Sequence, residues 1–438
     1  MKYLIISPLG LSLFIVPRLN AIKEVEKIYF CFPKLDDKSL GKDLNTLSDW
    51  SKLEMITDYN YALNLCSKEE LIIFIDDVSM GETGTQLMKQ GYKVIGGRQI
   101  IDKIEVERQF ATDLMKKVMN VPDSVSFQSW DRAIEFVKTN EPEDRLVFKP
   151  NDADVPKEYT YLSKDINDMV DAMKQFRQEW KWKEDFQIQR FVKGIEVDFS
   201  GYFNGKEFLP DSMMLYFENK PFMNDDIGPA TGGSIAVEFA RPLEGEFADI
   251  LNKLKPLLQK AGYKGQLAVN SIVSEEDHKP YFLEFCGRVG YPSFPIDILL
   301  VEASGHTLHD LFKALANEET PSLFAKDRMS VIASVSVPPF PSKHGVEDTC
   351  GQPIDWDRKY DDYFFPSFIM AEKGKMVLAG LSGECLYVTC SDRTLDGAVS
   401  MLYDTYMPTL NLKNKMFRTD LGVSAKKRIK TLKEWGLI

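Results

Sequence analysis

The chain has 438 residues, 44% of them hydrophobic, enough to bury a large core divided among two to four packed units. Its 54 lysines and arginines stand against 66 aspartates and glutamates, a net charge of −12 that argues against nucleic acid or an anionic membrane as the main partner and favours small soluble substrates. Six cysteines (Cys31, Cys66, Cys286, Cys350, Cys385 and Cys390) are scattered without a CxxC or a Cys/His cluster, so neither a zinc site nor a disulfide framework is read, and a reducing, cytoplasmic setting is expected.

The opening run MKYLIISPLGLSLFIVPRL has the charge and apolar length of a secretion signal. No small-x-small cleavage site follows it, and Pro8-Leu9-Gly10 breaks it where a strand would turn into a helix, so it reads as a first strand. No other segment approaches the ~18 apolar residues of a membrane span. YLIIS, KIYFCF and ELIIFIDD are short apolar strands separated by helix-length polar segments, and GTQLMKQGYKVIGG reads as a helix ending at Gly91 followed by another strand. This predicts an open α/β unit over residues 1–102. Its first loop, SPLGLS, has one glycine where a dinucleotide fingerprint needs three. From Ile104 to Met119 the apolar spacing predicts one amphipathic helix carrying Glu105 and Arg108.

A small αβ layer follows over about 123–192: strand SVSF, helix WDRAIEFVKT, strand RLVFKP, a helix from Ile166 to Trp180 and strand FQIQRFV. Next come EVDFSGYFNGKEFLP turning at Asn204-Gly205, the loop NDDIGPATGGS, a helix over 243–261, and GQLAVNSIVSEEDHKPYFLEF turning at Glu275 to Lys279. After a helix at 304–317 the chain reads as antiparallel strands (MSVIASVSV, SFIMAEKGKMVLAG, CLYVTC), a helix at 393–407, the segment MFRTDLG and a basic end, KKRIKTLK. No internal repeat or low-complexity tract is present.

Four places suggest chemistry. Lys149 ends a strand before Pro150, where an ammonium can meet phosphate, although a lysine there is also an ordinary surface residue. Glu196 opens a strand after Gly194 and can accept from ribose hydroxyls or be a solvated edge acid. DDIGPATGGS concentrates glycines and a proline as a substrate-covering loop would. In FLEFCGRVGYPSFP, Glu284 sits at the tip of an apolar strand, where an unpaired carboxylate costs several kcal/mol. A divalent cation shared with Asn270 on the neighbouring strand answers that cost, and the oxygen donors suit Mg²⁺.

In this order the segments resemble the ATP-grasp carboxylate–amine ligases, most closely the phosphoribosylamine–glycine ligases, over nearly the full length. IEVERQFATDLMKKVMNVP resembles the helix that opens the grasp domain, with Arg108 where a lysine faces ATP. VFKPNDADVPKEY is similar to the phosphate strand and loop, with Lys149 and Lys157. IQRFVKGIEVDFSG is similar to the ribose-binding region, with Gln189 and Glu196. ENKPFMNDDIGPATGGS matches the Asp-x-Gly-Pro-Asn-Thr-Gly-Gly segment at Asp226, Gly228, Pro229, Thr231, Gly232 and Gly233, with Lys220 just before it. FLEFCGRVGYP resembles the metal strand and its turn, and FRTDLG, to Gly422, the closing C-terminal motif. The resemblance implies ATP with Mg²⁺ (or Mn²⁺) as cofactors, Glu284 and Asn270 as metal ligands, and Arg108, Lys149, Lys157, Glu196 and Gln189 as nucleotide contacts. It also implies catalytic roles for Arg288, Lys220 and Asp226, and small amine and carboxylate substrates joined through an acyl phosphate.

The expected fold is α/β: an N-terminal preATP-grasp open sheet (1–102), a two-lobed ATP-grasp core (103–325) and a C-terminal α+β domain (326–438), with a homodimer kept as an expectation. Several family positions differ. The first turn reads PLGLSLF in place of a glycine-rich turn with Arg-Glu-His for the sugar phosphate, and Ile75-Asp76-Asp77 replaces Gly-Pro-Glu. NDADVPK replaces a glycine-rich phosphate loop, Cys286 stands at a metal-binding Asn, and Tyr291-Pro292-Ser293 replaces Asp-Pro-Glu. These departures point to a specialised substrate. They also leave open a degenerate, non-catalytic nucleotide-binding protein and an unrelated α/β interaction protein.

Overall fold

The computed structural model describes residues 1–33, 39–151, 160–179, 185–240 and 244–438. They form two compact units: Met1–Asp102 with Asp198–Ala268 and Cys286–Ile438, and Lys103–Val197 with Val269–Phe285. No helix among the described residues is long and apolar enough to cross a membrane.

The first unit begins with β1 (Lys2–Ile6), α1 (Val16–Asn20), β2 (Lys27–Cys31), β3 (Leu53–Ile56), α2 (Tyr59–Leu65), β4 (Leu71–Ile75), α3 (Gly81–Lys89), β5 (Lys93–Ile95) and α4 (Gln99–Val106). The strands form a parallel sheet in the order β3-β2-β1-β4-β5. KYLII, KIYFC and LIIFI are apolar almost throughout, as strands buried on both faces must be. The strand order reverses direction between β1 and β4, so the loops leaving these two strands open the crevice that α/β sheets use for ligands. β3 is absent from the sequence reading because it is four residues long and carries Glu54, whose charge is met by Lys27 on β2 at 2.8 Å.

The single helix expected over 104–119 is two: α4 ends at Val106, and α5 (Arg108–Met115) starts after Glu107 leaves helical geometry at φ −88°, ψ 88°. In one continuous helix Arg108 would lie in the apolar stripe of Ile104, Ala111 and Met115. The break makes it the first residue of α5 instead.

In the second unit α5 leads to β6 (Ser124–Phe127), α6 (Trp130–Val137), β7 (Leu146–Pro150), β8 (Tyr161–Leu162), α7 (Ile166–Glu179) and β9 (Phe186–Arg190). The antiparallel sheet β6-β9-β7-β8 has one face covered by α6 and α7, where Trp130 stacks on Phe148 with ring centres 5.8 Å apart and Met169 and Met173 complete the core with Phe186 and Ile188. Side chains alternate across a strand, so Lys149, Gln187 and Gln189 point to the other face.

The remaining elements are β10 (Gly194–Phe203), β11 (Met214–Pro221), β12 (Ala230–Ala240), α8 (Gly245–Ala261), β13 (Gly265–Ser274), β14 (Pro280–Cys286), α9 (Ser293–Ala303), α10 (Leu308–Asn317), β15 (Arg328–Ser336), β16 (Phe364–Pro366), β17 (Ile369–Glu372), β18 (Lys375–Leu378), β19 (Glu384–Asp392), α11 (Leu395–Ser400) and α12 (Leu421–Glu434). The second unit takes β14, which lies beside β13, the end of β13 and the start of β10. In the first unit the strands run β13-β10-β11-β12-β15-β19-β16, with β12 and β15 antiparallel at Ile235↔Ala333. The expected boundary at 325/326 therefore falls between strands of one sheet. The basic end expected as a tail is helix α12, anchored by Leu421, Ala425 and Leu432.

Candidate functional site

Several of the expected nucleotide and metal residues lie in the second unit. Lys149 is buried on β7, and its Nζ donates to Gln189 Oε1 on β9 at 3.0 Å. Beside it Gln187 is buried on β9, its Oε1 without a hydrogen-bond partner among the described residues. Arg108 opens α5, where burial lowers its pKa and the charge of Glu284 opposes that shift, so the two groups feel each other's field. Its Nε also has no partner among the described residues.

Glu284 lies on β14 and Asn270 on the neighbouring β13. Asn270 is buried, and its Oδ1 accepts no hydrogen bond among the described residues. A buried amide oxygen left unpaired costs about 1–3 kcal/mol unless something meets it. Among the described residues no group of three or more His, Cys, Asp or Glu side chains could hold a metal. One carboxylate and one amide oxygen fit Mg²⁺, which keeps waters and substrate phosphates in its shell and rarely takes an all-protein cage. Glu196 lies half-exposed on β10. Lys157 lies outside the described residues.

The first unit holds the other candidates. Arg288 follows β14 in the turn 287–292. Its Nε is 3.6 Å from Asp77 Oδ1, its Nη1 donates to the Val289 carbonyl at 3.0 Å, and its Cζ stands 5.8 Å from the centre of the Tyr291 ring. Asp77 comes from the tip of β4, one of the two strands flanking the reversal in strand order. Its neighbour Asp76 is 1% exposed; Asp76 Oδ2 accepts from Ser7 Oγ, from the Ser12 N–H at 3.2 Å and from Tyr291 Oη at 3.3 Å. Burial pushes the Asp76 carboxyl up to about 7, against the pull of the hydrogen bonds from Ser12 and Ser7.

The segment 224–233, expected as one loop, is mostly exposed; its last four residues begin β12, and both its ends are tied. Thr231 Oγ1 donates to the Lys220 carbonyl at 2.9 Å, and Gly233 backs onto the turn so closely that a Cβ there would lie 2.4 Å from Pro292 Cδ. Asp226 accepts from Arg418 Nη1 at 2.8 Å and from Asn219 Nδ2 at 2.9 Å. Arg418 also grips Asp420 through Nε and Nη2 at 2.9 and 2.6 Å, and Asn224 and Thr419 exchange two further hydrogen bonds. The sequence segments DDIGPATGG and FRTDLG are therefore one structural device, and Asp226 serves in it as an anchor of the loop. Arg418 was legible only as part of a motif, and the tethering partners Asp77, Asp76, Ser12 and Tyr291 only as departures from a pattern.

No family model matches the chain. It is 25% identical over 350 residues to the phosphoribosylamine–glycine ligase of Helicobacter pylori, an alignment covering 76% of this chain and 77% of that protein. The crystal structure of phosphoribosylamine–glycine ligase from Thermotoga maritima matches with a TM-score of 0.70 at 17% identity, covering 96% of this chain and 100% of that one. The biotin carboxylase domain of the Hydrogenobacter thermophilus 2-oxoglutarate carboxylase, crystallised with MgADP, ADP and bicarbonate, matches with a TM-score of 0.60 at 11% identity over 94% of this chain and 91% of that one. The chain is thus similar in sequence to phosphoribosylamine–glycine ligases and has the α/β fold of the ATP-grasp carboxylate–amine ligases.

Proposed function

We propose that this chain is an ADP-forming ligase that uses ATP and Mg²⁺ to join a small carboxylate, glycine or another small amino acid, to a specialised amine other than the phosphoribosylamine of the ligases it resembles. The observation that carries the reading is the second unit's set of Glu284, unpartnered Asn270 Oδ1, Arg108 and buried Lys149, a hard-cation and polyphosphate chemistry with no packing rationale. Mg²⁺, when bound, would neutralise charge on the transferring phosphoryl oxygens. Glu284 and Asn270 would hold it, and Lys149, aimed by Gln189, would contact phosphate. Arg108 would meet the nucleotide and Glu196 the ribose. Arg288 would stabilise the acyl phosphate formed when the carboxylate attacks the γ-phosphate, and Lys220 would face the same charge. The 224–233 loop, anchored at Asp226, would cover the substrates until the amine displaces phosphate.

A second reading, nucleotide binding without ligation, is favoured by Cys286. Its thiol turns to the Arg288 carbonyl at 3.5 Å and offers no hard oxygen ligand. The deciding experiment incubates the protein with Mg-ATP and panels of amino acids and amines, with ADP release and product mass read together. A ligase gives ADP in proportion to a condensed product. A pure binder shows thermal stabilisation by Mg-ATP without substrate-stimulated ADP, and no stabilisation at millimolar Mg-ATP refutes both readings.

A further inference from the structure

The turn that carries Arg288 holds two glycines, Gly287 and Gly290, and such a backbone keeps one conformation only if something outside it fixes it. Two sets of anchors do so. On one side, the Gly290 N–H donates to Gln266 Oε1 at 2.9 Å, Gln266 Nε2 donates to Asp297 Oδ2 at 2.9 Å, and Tyr263 Oη donates to the Gly287 carbonyl at 3.0 Å. On the other, the Tyr291 hydroxyl joins Ser12 Oγ and Asp76 Oδ2, and the Tyr291 ring lies beneath the Arg288 guanidinium. Asp77, the residue next to Asp76, stands 3.6 Å from that guanidinium.

An acid as deeply buried as Asp76 is a costly way to brace a sheet, since an apolar residue of similar size would do it at no desolvation cost. What a carboxylate does better is receive several donors at one point. Here Ser7 of the β1 loop, the Ser12 N–H and Tyr291 of the turn converge on a single oxygen, Asp76 Oδ2.

We propose that Asp76 and Tyr291 are positioning residues for the ligation step: their hydroxyl–carboxyl contact, shared with Ser12, locks the Tyr291 ring and with it the aim of Arg288. This rests on the reading that Arg288 meets the reacting group. The contact joins Ile75-Asp76-Asp77 to Tyr291-Pro292-Ser293, two segments that differ from the pattern the resemblance implies. An exchange at one position alone breaks it.

The test uses the full chain with Tyr291→Phe, Asp76→Asn and the double variant. Amide hydrogen exchange over residues 286–293 is expected to quicken about tenfold in each single variant and no further in the double. In ADP release from Mg-ATP with glycine as the carboxylate probe, kcat is expected to fall about tenfold while KM for ATP stays within twofold. Normal exchange over 286–293 in Tyr291→Phe, or additive effects in the double variant, overturns the proposal, and so does a rise in KM for ATP with kcat intact. If Asp76→Asn does not fold, Ser12→Ala removes a partner from the same contact and is read the same way. Arg288→Ala tests the underlying assignment separately. Unchanged ADP release there removes the catalytic role of Arg288, while the exchange data still judge the anchor.

Discussion

Replacing Arg418 with methionine tests whether the exposed loop 224–233 is held from the C-terminal motif. The Arg418 side chain is 1% exposed and spends its donors on Asp420, Asp226 and the Pro221 carbonyl, the last at 2.9 Å. Methionine keeps the apolar stem and removes the fork. Truncating one partner of a fully buried ion pair costs about 3–5 kcal/mol, but here the acids keep access to water: Asp226 is 49% exposed and Asp420 17%. The half-exposed Asp226 bond is therefore worth about 0.5 kcal/mol, and the two-pronged grip on Asp420 about 1.5–3 kcal/mol before Asp420 falls back on the Asp225 N–H at 2.9 Å. A net of about 2 kcal/mol follows, a factor of roughly 30 in a local opening equilibrium. Hydrogen exchange of peptides covering 221–233 and 418–424 is expected to accelerate together by that factor, with β1 to β5 unchanged. Burial pushes the Asp420 carboxyl up, yet the Arg418 guanidinium and the Asp225 N–H outweigh it and hold it below the usual carboxylate range. A depressed folded pKa gives stability that is present above the ordinary value of about 4 and lost as pH falls through the lower one, so the wild-type loop also loosens in acid. Acceleration confined to 418–424 would refute the reasoning, because the loop would then be held by something else.

Three further outcomes are expected. Glu284→Gln should leave the unliganded melting temperature near wild type but abolish both Mg-ATP turnover and the thermal shift by Mg-ATP; a retained shift removes the metal role. Lys149→Met should weaken ATP about 10- to 100-fold, the worth of one charge-assisted contact, and equal ATP affinity by calorimetry would reduce Lys149 to a packing residue. In the first unit, burial drives the Glu238 carboxyl far above its usual range, with the charge of Asp297 adding to the rise, and pushes that of Asp297, which accepts from Tyr202 and Gln266, up to about 7. The folded state then binds more protons than the unfolded chain from about pH 4 upward, so stability falls as pH rises towards neutrality. Glu238→Gln, which stays neutral, should be near wild type in urea unfolding at pH 5 and more stable at pH 8; the same pH dependence in both proteins would disprove it.

What the sequence disclosed, and what it withheld, follows from how far each interaction reaches along the chain. Apolar runs such as LIIFI and FQIQR disclosed strands, because burial on one or both faces leaves a periodic trace within a few residues. The period also made Lys149 legible as a charge on a strand otherwise apolar, and the structure adds that it lies on the face away from the helices. Helix α9, SFPIDILLVEA, left no such trace, because it is buried from Ser293 to Val301 and a helix that is apolar all round shows no amphipathic period. Helix α12 hid behind its lysines for the opposite reason, since its three buried anchors are sparse.

The candidate residues could be named from the sequence, but their long-range connections could not. Glu284 and Asn270 stand on adjacent strands of one hairpin, as the turn at Glu275 to Lys279 leads one to expect. The contact of Asp226 with Arg418 spans 192 residues, and that of Tyr291 with Asp76 spans 215. No spacing rule links such pairs in a single chain. Each end can be seen only as an odd residue: an acid in a glycine loop, an arginine in a terminal motif, a second aspartate where a Gly-Pro-Glu turn was expected. Residues that break a local rule without local compensation are where distant partners should be sought, and here three such breaks resolve into two long-range anchors. One anchor holds the turn that carries Arg288, and the other holds the 224–233 segment.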